Sequence, residues 1–356
     1  MDDPVIFESI LKDYHASVAV KRIMMWGLIF SILLFVCLST TVGIFDIPAY
    51  QICLAIFGRL FGGSTEVTGL TEHIILNIRL PRILLGLLSG CGLAISGTVM
   101  QGILRNPMAS PYTLGISSGA SLGATLAIVL NISLAPGTFG IITNAFAGSL
   151  LCALLIFFIS AGKNVTPVFM ILTGIALMFL FSATTTLLQY FAEDEAVKRV
   201  VFWMVGSLGG ADWLKIKIIA GVLAVTSLLI FSQAWEMNIL SFGDETATSL
   251  GIHVKLVRIF TLLLSVFLTS TIVCFVGTIG FIGLVAPHIC RMLIGGDNKY
   301  LIPVSGLLGG LLLAGADLFA TNIIAPIEIP VGIITAYMGA PLFLLIIVRK
   351  MNRGEG

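Results

Sequence analysis

Only 10% of the 356 residues carry charge, so an ionisable side chain inside an apolar run is costly and marks a candidate functional site. Asp317, in Ala-Gly-Ala-Asp-Leu-Phe-Ala, is the one good acid of this kind. It could relay a proton or cation, or hydrogen-bond near a helix end. A carrier driven by a proton or sodium gradient normally shows several such groups, which weighs against a self-contained secondary transporter. His15, His73, His253 and His288 are too widely spaced to form a cluster, and His288, beside Pro287, is a lone candidate ligand. No His-Glu-x-x-His or Ser/His constellation supports an intramembrane enzyme. The six cysteines show no C-x-x-C or zinc spacing. Five read as small core residues in or beside apolar runs, and Cys53 lies in a loop. Gly162-Lys163-Asn164 lacks the earlier glycine and the following Ser/Thr of a phosphate-binding loop. If ATP drives this protein, another chain binds it.

The most informative polar stretch runs from Glu236 to His253. Its length suits two short helices joined at Gly243, where the missing Cβ permits a sharp turn. Asp244 falls near the second helix's N-terminus, where the helix dipole favours negative charge, and Gly251 stops that helix. Leu240, Phe242, Ala247 and Leu250 alternate with acids, a pattern a plain solvated connector does not need. Such a helical hairpin resembles a docking element for a soluble partner.

The elements that must position these residues follow from composition. Hydrophobic residues make up 58% of the chain and the mean hydropathy is +1.09, whereas soluble domains carry about 25% charged residues. A globule so composed could not coat its exterior with polar groups, so lipid is the solvent for most of its surface. Breaking the sequence at charges, prolines and polar clusters gives spans at 24–45, 73–104, 112–130, 139–160, 166–190, 213–233, 255–278, 282–294, 301–324 and 331–348. Most approach or exceed the roughly 20 residues that cross a bilayer, and the eighth is unusually short. The expected fold is therefore an all-α polytopic membrane protein of about ten transmembrane helices.

Lys and Arg number twelve in the loops on the N-terminal side and seven in the opposite set, which places both termini in the cytoplasm. Residues 1–23 read as a cytoplasmic tail, 24–348 as one transmembrane domain carrying the cytoplasmic loop 236–253, and 349–356 as a second tail. The acidic start and the length of the first apolar run fit a retained helix rather than a cleavable signal. A net charge of +1 offers no basic field for nucleic acid. Many of the 38 glycines fall inside the spans, with small-xxx-small spacing at Gly86/Gly90, Gly115/Gly119/Gly123 and Gly306/Gly310. Such spacing lets helix backbones approach closely in lipid. No equal-length repeat is evident, which speaks against inverted halves.

Several longer motifs occur in order: Arg79-Leu80-Pro81-Arg82; Gly92 to Gln101; Asn106-Pro107-Met108-Ala109 with Leu114 to Ala120; Trp203 to Leu208; Gly243-Asp244-Glu245-Thr246-Ala247; Gly280 to His288; and Glu328-Ile329-Pro330-Val331-Gly332 through Gly339-Ala340-Pro341. Together they resemble the membrane permease subunits of type II ABC importers for iron–siderophore complexes, haem and cobalamin, over nearly the whole chain after residue 25. The resemblance implies ten helices per subunit, a second permease subunit (a homodimer), two ABC-type ATPases holding ATP and magnesium, an extracytoplasmic substrate-binding protein, and no cofactor, metal or catalytic residue on this chain. It implies a multi-pass protein of a prokaryotic cytoplasmic (inner) membrane, surrounded by lipid.

Arg79 and Arg82 match the family's outward-facing arginines, which pair with glutamates of the binding protein; as interfacial anchors they would merely orient the second span. A third arginine common in the family after Ala-Asp-x-x-Ala is Thr321 here. Gly243, Asp244, Glu245, Ala247, Leu250 and Gly251 match the coupling helices that seat on the ATPase. Asn106 and Met108 match positions near the cytoplasmic narrowing of the pathway, although Asn106 equally suits a simple Asn-Pro turn. The implied function is import of an iron chelate by alternating access. The same importer type for haem, cobalamin or molybdate is the alternative, ahead of a gradient-driven carrier or an intramembrane enzyme.

Overall fold

The computed structural model describes residues 4–42, 47–48, 50–52, 54, 69–137, 139–160 and 166–352; Cys53 and Lys163 lie outside them. The helices are α1 (Pro4–Thr41), α2 (Gly69–Ile103, with a π-helical turn at Ile74–Arg79), α3 (Ile116–Val129), α4 (Phe139–Ser160), α5 (Pro167–Tyr190), α6 (Asp194–Met204), α7 (Trp213–Ser232), α8 (Ala234–Leu240), α9 (Asp244–Ser249), α10 (Val254–Val276), α11 (Ile282–Ile294), α12 (Asn298–Asn322) and α13 (Val331–Asn352). No strand occurs among the described residues.

Each expected span coincides with a helix, and seven of these helices are long and apolar enough to cross a membrane. The apolar helices α3, α11 and the Val331–Leu345 part of α13 are shorter. Two features lie outside the expected spans. Residues 4–23 are helical and continuous with the first span, because no glycine or further proline interrupts the sequence before Gly27. The connector after the fifth span contains α6, an amphipathic helix with Asp194 and Glu195 in its first turn.

Helices α2, α10 and α12 form the centre, with 72%, 67% and 61% of their apolar windows buried, against 11% for α1 and 28% for α7. Small residues set how closely they pack. A Cβ added to Gly90 of α2 would stand 2.2 Å from the Gly309 carbonyl oxygen of α12, and one on Gly309 would stand 2.4 Å from Ala94 Cβ. The α3–α4 pair is built likewise, with Gly119 and Gly148 facing each other and Gly123 against the Asn144 carbonyl. Three motifs far apart in sequence meet where α6 ends. A Cβ on Gly332 would stand 1.9 Å from Val205 O and one on Gly277 2.3 Å from Trp203 O, while Ser207 N donates to Val276 O at 2.9 Å.

The non-helical stretch between α2 and α3 is partly exposed, at Met108 and Tyr112, and partly buried. Ala109, Ser110 and Leu114 are buried there, and Ser110 N donates to Thr113 Oγ1 at 2.9 Å.

Candidate functional site

The hairpin expected at 236–253 is present as α8 and α9. Gly243 turns the chain with φ +126°, and Gly251, at φ +83°, follows the end of α9. Its apolar residues divide between two faces. Leu240 and Ala247 are fully buried in the chain's own bundle, whereas Phe242 is 77% and Leu250 63% exposed, and Glu245 beside them is also exposed. The small Ala247 thus lets α9 lie close against its own helices, and the outward face is formed by Phe242, Glu245 and Leu250.

Polar contacts fasten this hairpin to the three central helices. Asp244 accepts from Arg258 Nη2 of α10, at 2.9 Å to Oδ1 and 3.0 Å to Oδ2, and from Arg105 Nη2 just beyond α2. Arg105 Nε also donates to Leu240 O at 2.9 Å, which occupies a carbonyl at the end of α8. Arg105 adopts φ +47°, an uncommon conformation for a residue with a Cβ. Asn238 of α8 donates to Asp297 Oδ1 at 2.8 Å and accepts from Asn298 N at 2.8 Å, tying the hairpin to the start of α12. Asn106, next to Arg105, accepts from Met108 N at 2.8 Å, the bond of an Asn-initiated turn, and Met108 is 53% exposed.

A second cluster lies toward the other end of α2, roughly 30 Å away at 1.5 Å per helical residue. Arg82 donates from Nε to Asp317 Oδ2 at 2.7 Å, from Nη2 to Asp317 Oδ1 at 3.1 Å and from Nη1 to Glu328 Oε2 at 2.9 Å. Arg79 donates from Nη1 to Thr40 O at 2.7 Å, at the end of α1. These side chains border a cavity of about 280 Å³ between α1, α2 and α12, whose other walls include Phe35, Ile78 and Leu318. Among the described residues no group of three or more His, Cys, Asp or Glu could hold a metal ion.

A profile of the FecCD transport family matches residues 31–349. The chain belongs to the FecCD transport family.

Its relatives are permeases. The hemin transport system permease HmuU of Yersinia pestis is 41% identical over 295 residues, covering 82% of this chain and 88% of its own length. The molybdate import system permease MolB of Haemophilus influenzae is 34% identical over 332 residues, covering 93% and 96%. A solved structure described as an inward-facing conformation of a metal-chelate type ABC transporter superposes with a TM-score of 0.80 at 31% identity, covering 91% of this chain and 98% of the other. The family read from the motifs is thus the family found, and this FecCD chain is of the ABC importer permease type.

Two features of the FecCD chain lie beyond its sequence pattern. Arg105 and Arg258 are among the twelve Lys and Arg residues of the N-terminal-side loop set, yet Arg258 is 3% exposed inside α10. A cation so placed demands a partner, and its place on an apolar helix was the available signal. Asp317 was singled out from sequence and so was Arg82, but nothing in the sequence paired them.

Proposed function

We propose that this chain is one of two permease subunits of an ATP-driven importer that moves an iron chelate, or a related metal complex, across a prokaryotic cytoplasmic membrane by alternating access. The ten apolar helices span the bilayer, both termini are cytoplasmic, and the α8–α9 hairpin seats on a separate ATPase. ATP binding draws the two ATPases together, and the hairpins pass that motion to the bundles. Asn106 and Met108 border the cytoplasmic narrowing. Arg79 and Arg82 face outward and receive acidic side chains of a substrate-binding protein.

The observation that carries this reading is the attachment of the hairpin. An apolar and acidic surface (Phe242, Glu245, Leu250) faces out, while Asp244, Leu240 and Asn238 are held by α2, α10 and α12. A connector with no partner has no need of an exposed Phe and Leu on so firmly anchored a support. An iron chelate is favoured because it is the commonest cargo of the resembled importers. A bulky chelate also suits a wide, weakly polar pathway with few charges, and the permease does no covalent chemistry.

The experiment is purification of the tagged chain from its own cells with mass spectrometry of what co-elutes. An ABC-type ATPase in roughly equal amount is the expected result, and a captured binding protein can then be screened with iron chelates, haem and cobalamin. Recovery of the chain alone, active with an ion gradient and no ATP, would refute the proposal.

A further inference from the structure

Asp317 and Glu328 hold Arg82 unequally. Asp317 takes two of its N–H groups, at 2.7 and 3.1 Å, with a side chain only 9% exposed; Glu328 takes one, at 2.9 Å, with a side chain 51% exposed. A bidentate, desolvated pair resists exchange. A single bond to a half-exposed carboxylate contributes little and is readily replaced by another carboxylate. Glu328 lies in the segment joining α12 to α13, and its Oε2 sits 3.5 Å from where a Cβ on Gly209 would stand, so it lies close to the connector before α7. Backbone bonds tie the same segment to α12, with Ile329 N donating to Ala320 O at 3.3 Å.

We infer that Glu328 is an internal stand-in for the docking carboxylate of the substrate-binding protein. It occupies Arg82 in the unpartnered transporter and is displaced on docking, while Asp317 keeps the guanidinium aimed. This rests on the docking role proposed above for Arg82. The chemistry of the incoming group is defined by the group it replaces, an acidic side chain on a protein surface. Displacement also releases the α12–α13 segment from α2. Helix α13 starts directly after that segment, and its Gly332 packs on Val205 while its Gly339 lies against Phe281 at the start of α11. Docking at Arg82 thereby loosens the entry to α13, a mechanical consequence for the bundle that a plain surface ion pair lacks.

The test measures capture of the copurified substrate-binding protein by the assembled transporter in lipid nanodiscs. Removing the competitor with Glu328→Gln should tighten capture about two- to five-fold, and Glu328→Asp, whose reach is one methylene shorter, should act the same way if the Gln variant assembles poorly. Arg82→Gln should weaken capture about ten-fold, and adding Glu328→Gln to it should give no recovery. If Arg82→Gln weakens capture but neither Glu328 variant tightens it, the stand-in is wrong and docking at Arg82 stands. If capture ignores Arg82→Gln, the docking reading falls and takes this inference with it.

Discussion

Arg258 sets one terminal nitrogen between both oxygens of Asp244, at 2.9 and 3.0 Å, and so joins the first turn of α9 to the second turn of α10. With Arg105 on the same carboxylate, the hairpin and two central helices meet at one side chain. A rigid attachment at that point is what the proposed transmission of an ATPase stroke requires, because a compliant joint would absorb the motion.

Asp244→Ala should therefore lower stability by about 2 kcal/mol, since it removes both bonds from Asp244 to the buried Arg258 guanidinium. Denaturation of the purified chain in mild detergent measures the loss. Asp244→Glu, which keeps the charge, should recover part of it, and equal behaviour of the Ala and Glu variants would show that charge is not what holds α9.

Glu245 faces outward beside Phe242 and Leu250, so its reversal should leave the fold alone. Glu245→Arg is expected to change stability by less than about 0.5 kcal/mol while abolishing uptake in cells. Unchanged uptake would remove Glu245 from the coupling surface.

The Arg82 cluster should be strongly non-additive. Arg82→Leu strands Asp317, whose side chain is 9% exposed, at a cost of about 3 kcal/mol. Asp317→Leu leaves the guanidinium with only its single bond to the half-exposed Glu328 and should cost about 2 kcal/mol. Removing both together should cost much less than the sum, which a double-mutant cycle on the unfolding free energy will read directly.

Glycine contacts offer a graded test of the core. Gly90→Ala forces a methyl to within 2.2 Å of the Gly309 carbonyl and should destabilise by about 1–3 kcal/mol through overpacking. Gly221→Ala in α7, where nothing lies within 4 Å, should be neutral or slightly stabilising. Similar melting shifts for the two would mean that the α2–α12 contact is looser than drawn.

Much of this architecture is local information and so is readable along the chain. Apolar run length fixes where helices lie, because the bilayer demands about 20 such residues per crossing, and α4, α5 and α7 fall within a residue or so of their expected spans. Glycines at four-residue spacing mark the faces that pack, and Gly90 and Gly119 indeed meet backbone. Gly243 and Gly251 mark the turn and the end of α9 by the same local logic.

What the sequence could not disclose is which charge meets which. Arg82 and Asp317 are 235 residues apart, and Arg105 and Asp244 139. No periodicity links them, since such pairs come into being only when helices distant in sequence are packed side by side. The same holds for the division of the hairpin's apolar residues. Ala247 and Leu250 read alike in sequence, but the orientation of α9 on the bundle buries one and exposes the other. Local hydrophobicity and backbone freedom determined the elements; the tertiary packing of α2, α10 and α12 decided the ion pairs and the exposed face through which this protein is proposed to act.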